Sequence, residues 1–398
     1  MASTSRLLLH ASLPPPTTSI SKTNSGSHAV IRSIWHNNGK YPKEKTCIET
    51  PLLLQHNQKH HYTCDQIKRK HFVKATHAQS KNEPEPQADS AKPIWNSIKD
   101  VMHTIQKFSV FYALIGLLSG ILSSSLLAVE KLSDLSPTFF ISMLQFMAAY
   151  SSMQLYTTGV NQLADIEIDK INKPYRPLAS SKISFGGGLA IVAASLFMSF
   201  GLALMIGSKP LLWGLILIFI LMTAYSVNLP FLRWKKSTIL TLLSGVPTIL
   251  TAYNLAPYLH MKTFVLKKPF IFTRSLAFTT VVMTFFYVVI SLFKDIPDIE
   301  GDKKEGLQTL SIRLGPKRVF WLCISLLEMT YGIAIIMGLT SPFLWSKIFT
   351  VMAHAINAWI LWFRANSVDL KSKEDFQSFY MFIFKLLYLE NVLVLFVR

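Results

Sequence analysis

The sequence predicts an all-α protein, a polytopic membrane bundle of nine transmembrane helices. Half of its 398 residues are hydrophobic and 16 % are charged, whereas soluble domains have roughly 25 % charged residues. The apolar residues are concentrated in stretches of roughly 20, the length that a helix needs to span a bilayer. Lys and Arg are also more abundant in the loops on one side of these stretches than on the other, as the positive-inside rule expects.

The N-terminal region differs from the bundle in composition. The first acidic residue is Glu44, and residues 1–43 contain twelve Ser or Thr and five Lys or Arg. Ser-rich, basic, acid-poor leaders are typical of organellar transit peptides. We therefore expect a transit peptide and disordered linker over residues 1–80, with a retained cytosolic tail as the alternative. A polar pre-membrane segment over 81–107 and a nine-helix domain over 108–398 complete the predicted organisation.

Nine apolar stretches make up the predicted bundle. The fourth is short and close to the third, which predicts a tight helical hairpin. The fifth contains Pro247 and Asn254, which predicts a kink. The stretches are 108–129, 137–160, 184–206, 210–226, 238–256, 273–293, 318–338, 343–363 and 377–397.

The net charge of +18 would suit a nucleic-acid ligand, but the bundle's basic residues fall in short loops between spans. We therefore expect a lipid bilayer as partner and no nucleic acid. The Lys- and Arg-rich loops should stay on the non-translocated side of the membrane. In a plastid, that side is the stroma.

Two acidic clusters follow directly after the second and sixth stretches, both on the non-translocated side. Carboxylates are costly near hydrocarbon, so their placement at two span ends indicates a function. Residues spaced i, i+4, i+8 or i, i+3, i+7 share one face of a helix, so Glu167 and Glu300 point elsewhere. The remaining members are Asn161, Asp165 and Asp169 in the first cluster and Lys294, Asp295, Asp298 and Asp302 in the second.

The side chains of both clusters favour a hard divalent cation. Mg²⁺ binds a few carboxylates while substrate phosphates and waters fill its octahedron. The candidate metal ligands and catalytic residues are Asn161, Asp165, Asp169, Asp295, Asp298 and Asp302. Cations nearby that can neutralise a diphosphate are Lys173, Arg176, Arg233, Lys235 and Lys294. This combination predicts diphosphate chemistry at a membrane surface. If the diphosphate is allylic, its departure leaves a carbocation that an electron-rich ring can attack.

Two other classes of protein fit the sequence less well than an enzyme does. In an ion-coupled transporter, acidic side chains line a pathway and usually lie near the bilayer midplane in broken helices. Here the clusters lie at span ends, which favours surface chemistry. A catalytically silent scaffold is disfavoured because both sets of aspartates, Asn161 and Lys294 are intact.

Three segments of the sequence resemble the UbiA superfamily of membrane-bound aromatic prenyltransferases, in their plant plastid branch. The resemblance implies a bundle of nine helices around a central cavity, with Mg²⁺, the two aspartate clusters as its metal site, basic residues that bind phosphate, and Tyr225 at the cavity wall. One departure is Val110-Phe111, where family members often have Arg-Pro, and it bears on acceptor positioning. The matching segments are NQLADIEIDKINKPYRPLAS (161–180), YSVNLPFLR (225–233) and KDIPDIEGDKKEGLQTLSIRLG (294–315).

The resemblance implies transfer of a prenyl group from an allylic diphosphate to an aromatic carbon of a phenolic acceptor, with release of diphosphate, at a plastid membrane. We expect dimethylallyl diphosphate as donor and a flavonoid or isoflavonoid as acceptor. The alternative within the family is a homogentisate phytyl- or solanesyltransferase of tocopherol or plastoquinone synthesis. The departure at Val110 favours the first of these two functions.

Several polar residues fall inside predicted spans. Intramembrane ionisable groups are usually functional or paired. We expect Lys385 and Glu390 to form a local or interhelical pair, and His354 and Asn357, spaced i, i+3, are candidates for contact with the acceptor.

Overall fold

The computed structural model describes residues 94–397, so the predicted transit peptide, the linker and residues 81–93 lie outside it. Within the described residues, every regular element is helical, apart from one isolated bridge between Ser237 and Gln308. This confirms the predicted all-α class. The remainder of the predicted pre-membrane segment lies in the first helix.

The helices are numbered in chain order, and two of the turns between them are π-helical. The α-helices are α1 (Ile94–Ser109), α2 (Phe111–Leu126), α3 (Pro137–Ala164), α4 (Ile166–Asn172), α5 (Phe185–Ile206), α6 (Lys209–Ser226), α7 (Thr238–Pro247), α8 (Ala256–Leu259), α9 (Arg274–Phe293), α10 (Ile299–Lys304), α11 (Leu310–Leu314), α12 (Pro316–Leu339), α13 (Leu344–Asn366) and α14 (Lys373–Leu393). The π-helical stretches are Thr248–Leu255 and His260–Val265.

The starts of the long helices follow from local sequence. A Ser or Thr side chain accepts a hydrogen bond from a backbone N–H of the first turn, which satisfies one of the donors left free at a helix start. In α3 and α6, a Pro in the first turn adds a backbone already set for the helix. The capping residues are Ser136 of α3, Ser184 of α5, Ser208 of α6, Thr273 of α9 and Ser372 of α14.

Seven helical segments of the described chain are long and apolar enough to cross a membrane, and the bent pair α1–α2 would make an eighth. The predicted count of nine is therefore not confirmed. The difference is α3, which has 28 residues. Its mean hydropathy is lowered by the exposed Gln145 and by four polar side chains near its end, Gln154, Thr157, Thr158 and Asn161. These four side chains line an internal cavity, so they do not meet lipid.

The helices pack around two large apolar clusters and a third, smaller one around Phe139 and Tyr258. The first joins α2, α3, α5 and α6 and is centred on side chains such as Phe146, Tyr150 and Leu211. The second joins α9, α12 and α14 around Phe293, whose ring stacks on that of Phe379 with 5.7 Å between the centroids. The closest helix pairs are α3 with α5 and α12 with α13. The two clusters divide the bundle into two groups of helices.

The first predicted span is broken at Val110. This residue adopts left-handed backbone angles (φ 51°, ψ 64°), and α1 and α2 meet there at 67°. A β-branched residue in this region is an outlier that surrounding structure must stabilise. Part of that stabilisation comes from Gln162, whose Nε2 donates to the carbonyl oxygen of Phe108 at 2.8 Å.

The fifth predicted span is longer than expected and is distorted where the sequence predicted a kink. It runs from Thr238 to Val265 and turns π-helical directly after Pro247. Proline removes one backbone donor and crowds the preceding turn, which favours a local change of helix type. Asn254 donates from Nδ2 to the carbonyl oxygen of Ile249 at 2.6 Å, five residues back, which matches the π-helical repeat.

The polar residues predicted inside the last spans have other partners than expected. Glu390 pairs with His354, with Oε1 3.0 Å from Nε2, and both side chains are fully buried. The interhelical alternative is therefore confirmed for Glu390, whereas a local pair with Lys385 is wrong, because Lys385 lies on the exposed face of α14. Neither His354 nor Asn357 lines the cavity, so the proposed acceptor contact for these two residues is wrong as well.

Gly159 allows α3 to approach α5 closely, and the first prediction concerns this contact. A Cβ at this position would collide with Val192 of α5 and approach Phe108 Cζ at 3.0 Å. Overpacking of this kind destabilises by about 1–3 kcal/mol. We expect Gly159→Ala to lower the melting temperature of the purified protein in detergent, measured by the loss of folded monomer after heating.

The matched control is Gly201→Ala in α5. No atom lies within 4 Å of the position that its Cβ would take. In a helix, Ala is favoured over Gly by about 1 kcal/mol, so this variant should be at least as stable as the parent. Equal melting temperatures for the two variants would contradict the packing assigned to Gly159.

Candidate active site

A cavity of about 410 Å³ opens between the two groups of helices. Its walls come from α2, α3, α6, α9, α14 and the distorted fifth span. Charged side chains line the end at which α3 and α9 terminate. Apolar and aromatic side chains line the middle.

The first acidic cluster lies where α3 gives way to α4. The helix breaks at Asp165 (φ −118°, ψ 16°), so the predicted stripe of three residues runs from the end of the long helix α3 into the short helix α4. Asn161 still reaches Asp165, with Nδ2 donating to Oδ2 at 3.2 Å. Asp169, one turn into α4, is buried and accepts from Arg176 Nη1 at 2.6 Å.

Lys235 compensates the charge of Asp165. Its Nζ donates to Asp165 Oδ1, and both side chains are buried. Lys235 belongs to a single 3₁₀ turn whose position is fixed by a hydrogen bond from Gln308 N to the carbonyl oxygen of Lys236 at 3.0 Å. The loop after α6 is thereby joined to the segment after α10. Lys235, from the loop after α6, therefore pairs with Asp165, at the end of α3.

The second cluster begins at the end of α9. Lys294 donates from Nζ to Asp295 Oδ1 at 2.8 Å and to the Tyr225 hydroxyl at 3.1 Å. Asp298 stands at the start of α10, and Asp302 lies inside that helix, where both are buried. The turn between α9 and α10 thus points three carboxylates at the cavity.

Direct contacts between α4 and α10 hold the two clusters together. Lys173, just after α4, forms an ion pair with Asp298. Asn172 donates from Nδ2 to the carbonyl oxygen of Asp298 at 3.0 Å and accepts from the backbone N–H of Gly301 at 3.0 Å. This makes Asn172 a bridge between the clusters that the sequence reasoning missed. The signal was available, since Asn172 follows Asp169 by three residues and Asp165 by seven, on the same helical face.

Position 301 has no room for a side chain because of this bridge. A Cβ there would lie 2.5 Å from Asn172 Oδ1 and 2.6 Å from its Nδ2. In the structure, the group that approaches it is the amide of Asn172.

The negative charges of the buried carboxylates in this site are only partly compensated by the neighbouring cations. Burial, reinforced by the negative charges of Asp298 and Asp295, raises the pKa of Asp302 to about 7. Burial also raises the pKa of Asp169, although Arg176 opposes the shift. Buried carboxylates that repel one another favour the arrival of further positive charge.

Eleven of the twelve predicted site residues line this cavity. The exception, Arg233, lies behind Asp165 with Nη2 3.7 Å from Oδ1, and its other contact is with Glu305 at 3.3 Å. The eleven are Asn161, Asp165, Asp169, Lys173, Arg176, Tyr225, Lys235, Lys294, Asp295, Asp298 and Asp302.

The carboxylates of the site fit a hard divalent cation that arrives with its phosphate ligand. Across residues 94–397, no three carboxylate, imidazole or thiol side chains converge closely enough to hold a metal ion by themselves. Mg²⁺ does not require such a cage, because it commonly takes one or two carboxylates together with substrate phosphates and waters. The pKa of Asp302 is raised, and Asp298 and Asp169 already pair with Lys173 and Arg176. These carboxylates are therefore stabilised by positive charge, which such an ion would supply.

Below the charged end, aromatic rings shape the cavity. Tyr287 of α9 lies across Gly245 of α7, where any side chain would collide with its hydroxyl. Tyr225 and Tyr253 line the same region, and the Nζ of Lys294 stands 5.8 Å from the ring centroid of Tyr225. Electron-rich ring faces stabilise cations. The site therefore combines anion-binding groups at one end with a cation-tolerant aromatic wall beneath it.

Together these features define a membrane-embedded helical enzyme whose charged groups sit above an apolar and aromatic chamber. The sequence matches the UbiA prenyltransferase family over residues 117–386, about two thirds of its length. The chain belongs to this family and is a prenyltransferase.

Proteins with assigned activities are similar along most of the chain. The naringenin 8-dimethylallyltransferase 2 of Sophora flavescens is 47 % identical over 370 residues, covering 91 % of this chain and 90 % of the relative. The homogentisate phytyltransferase 1 of Arabidopsis thaliana is 48 % identical over 314 residues, covering 79 % and 80 %. The structure of a UbiA homologue from Archaeoglobus fulgidus, bound to GPP and Mg²⁺, has a similar fold, with a TM-score of 0.53 and 16 % identity over 73 % of this chain and 99 % of that one.

The second prediction concerns Gly301. We expect Gly301→Ala to displace the Asn172 amide and separate α4 from α10, so that kcat of prenyl transfer falls at least tenfold while the protein stays folded. The measurement is product formation by membranes that carry equal amounts of each variant. Gly186→Ala is the control, because nothing lies within 4 Å of its Cβ position. Unchanged kcat in Gly301→Ala would show that the bridge does not support catalysis.

Proposed function

We propose that this prenyltransferase transfers a dimethylallyl group from dimethylallyl diphosphate to a ring carbon of a flavonoid-type phenol. The observation that carries the proposal is the pairing of four Lys or Arg side chains with aspartates at one end of an apolar, aromatic cavity. Such an end suits a diphosphate, and the chamber below suits an allyl group and an aromatic ring. The pairs are Lys173–Asp298, Arg176–Asp169, Lys235–Asp165 and Lys294–Asp295.

The carboxylates and Asn161 are the proposed ligands of Mg²⁺. They are the predicted set Asn161, Asp165, Asp169, Asp295, Asp298 and Asp302, of which Asn161 and Asp165 are already in hydrogen-bond contact. When bound, Mg²⁺ would neutralise charge on the diphosphate and so assist its departure.

The basic residues of the site bind the diphosphate in this proposal. As the substrate enters, Lys173, Arg176 and Lys235 exchange a carboxylate partner for a phosphate oxygen, and the released carboxylates become free to bind the metal. Lys294 keeps Tyr225 oriented by a hydrogen bond at 3.1 Å. Arg233 does not line the cavity. It contacts Asp165 and acts on the diphosphate site only through that residue.

The reaction breaks the bond between the allyl C1 and the diphosphate oxygen, and the electron pair leaves with the diphosphate. The rings of Tyr225, Tyr253 and Tyr287 then face the allyl cation and exclude water from it. The π electrons of the acceptor ring form the new carbon–carbon bond, and the ring carbon loses its proton to the departing diphosphate. The tyrosines therefore act by shielding and by charge stabilisation, not by covalent chemistry.

Homogentisate is the second candidate acceptor, because the chain is 48 % identical to a homogentisate phytyltransferase. The flavonoid is preferred on two grounds. The similarity to the naringenin dimethylallyltransferase extends over 91 % of this chain, compared with 79 % for the phytyltransferase. The wall formed at the bend of α1 and α2 presents Val110, an uncharged side chain, which provides no partner for the carboxylate of homogentisate.

We also propose the compartment and the membrane orientation of the enzyme. It lies in a plastid membrane with α3 as the ninth span, and the charged end of the cavity faces the stroma. The proposed precursor consists of a transit peptide and linker over 1–80, a polar pre-membrane segment over 81–107 and the prenyltransferase domain over 108–398. Relatives described as chloroplastic support the compartment, and the excess of Lys and Arg in the loops supports the orientation.

The third prediction tests this function directly. Microsomes that contain the protein are incubated with Mg²⁺, either dimethylallyl or phytyl diphosphate, and either naringenin or homogentisate, and the products are identified by mass spectrometry. We expect a prenylated flavanone from the dimethylallyl donor. EDTA should stop the reaction and added Mg²⁺ should restore it. A phytylated homogentisate without any flavanone product would favour the second candidate, and activity that persists in EDTA would exclude the metal-assisted departure.

The fourth prediction separates site carboxylates from their exposed neighbours. Asp302 is buried at the cavity, whereas Glu300, two residues away, has 70 % of its side chain exposed. We expect Asp302→Asn to lower kcat by about 10²–10³, the range for removal of one electrostatic group from a site. Glu300→Gln should leave kcat unchanged. Similar activity for the two variants, at equal protein levels, would remove the second cluster from the proposed site.

A further inference from the structure

Asn391 lies at the end of the cavity farthest from the charged groups. It belongs to α14, and it faces Gly120 of α2 across the cavity wall. Gly120 is ten residues beyond Val110, the residue at the bend of the first span, which corresponds to roughly 15 Å along a helix. The deep end therefore lies well below the diphosphate-binding residues.

The orientation of the Asn391 amide is determined by its neighbour. Ser119 Oγ donates its only proton to the carbonyl oxygen of Gly116 at 3.0 Å, so towards Asn391 it can act only as an acceptor. Asn391 Nδ2 therefore donates to Ser119 Oγ at 2.9 Å, and Oδ1 points to the other side. That oxygen is buried, and it has no hydrogen-bond partner in the structure.

A buried carbonyl oxygen without a donor is costly, and native structures seldom leave one unmatched. Gly120 has no side chain here, and a Cβ at that position would meet only Asn391 Oδ1, at 3.8 Å, within 4 Å. Because Asn391 lines the cavity, a group that enters it can supply the donor. The hydrocarbon tail of an isoprenoid has no O–H or N–H, so the donor substrate cannot supply it.

We propose that Asn391 Oδ1 accepts a hydrogen bond from a phenolic hydroxyl of the acceptor that is remote from the ring being prenylated. Asn391 is then a specificity-determining residue that selects polyphenols with a second, hydroxylated ring. This inference rests on the proposed function and names the acceptor class for the same site. A single-ring phenol positioned at the charged end does not reach this oxygen.

The fifth prediction compares two acceptors that differ in one hydroxyl. Naringenin carries a 4′-hydroxyl on its outer ring, and the matched flavanone lacks only that group. With dimethylallyl diphosphate and Mg²⁺, we expect the parent enzyme to favour naringenin by about tenfold in kcat/KM, the effect of one neutral hydrogen bond. In Asn391→Leu, the two acceptors should be used equally, through a higher KM for naringenin with little change in kcat.

Two further variants separate recognition from helix packing. Gly120→Ala introduces a methyl group that the protein accommodates, at 3.8 Å from Asn391 Oδ1, but that occupies the space of the hydroxyl. It should also abolish the preference for naringenin. Ser119→Ala removes one hydrogen bond between α14 and α2 and keeps the amide oxygen, which the phenolic hydroxyl itself then orients, so a weakened preference for naringenin should remain.

The outcomes are distinguishable. Loss of the preference in both Asn391→Leu and Gly120→Ala, with activity on the matched flavanone retained, supports the proposal. Equal use of the two flavanones by the parent enzyme, a preference that persists in Asn391→Leu, or an equal loss on both acceptors in Asn391→Leu and Ser119→Ala overturns it while leaving flavanone prenylation intact. Prenylation of homogentisate without any flavanone product would instead overturn the proposed function itself.

Discussion

The compensation of buried carboxylates by cations is the interaction on which the organisation of the active end depends. An aspartate without a partner at the end of a membrane helix would be strongly destabilising or would become protonated. Each partner comes from a different part of the chain, so pairing the charges also assembles the site. Asp165 recruits the loop after α6 through Lys235, and Asp298 recruits the segment after α4 through Lys173. The same pairs can open when a diphosphate offers stronger charge.

The contact of α4 with α10 complements this charge pairing with a rigid geometric constraint. Asn172 uses both ends of its amide on the backbone around Gly301, and these two hydrogen bonds are directional in a way that ion pairs are not. The long helices bring the clusters near one another through packing. The amide then sets their separation, which matters because phosphate and metal ligands tolerate little error in position.

Hydropathy and helical spacing in the sequence predicted the all-α class, the ends of most spans and the residues of the charged end. What escaped prediction depends on contacts between distant parts of the chain. Spacing places Asn172 on the face of Asp165 and Asp169, but its partner Gly301 lies 129 residues away, and no local pattern marks that pairing. The predicted count of nine spans is not confirmed, because α3 carries polar side chains that lower its hydropathy. The left-handed backbone at Val110 and the pairing of His354 with Glu390 likewise follow from tertiary packing.

The ring of Tyr287 packs against Gly245, a residue without a side chain. This contact lets the shape of the chamber change independently of the charged end of the cavity. A single methyl group at position 245 would push the ring to a new position and change the shape of the chamber, without contact with any charged residue. Substrate range can therefore diverge by small steps while the machinery for diphosphate departure stays the same. Duplicated genes that encode such a chain have a short mutational route from one phenol to another.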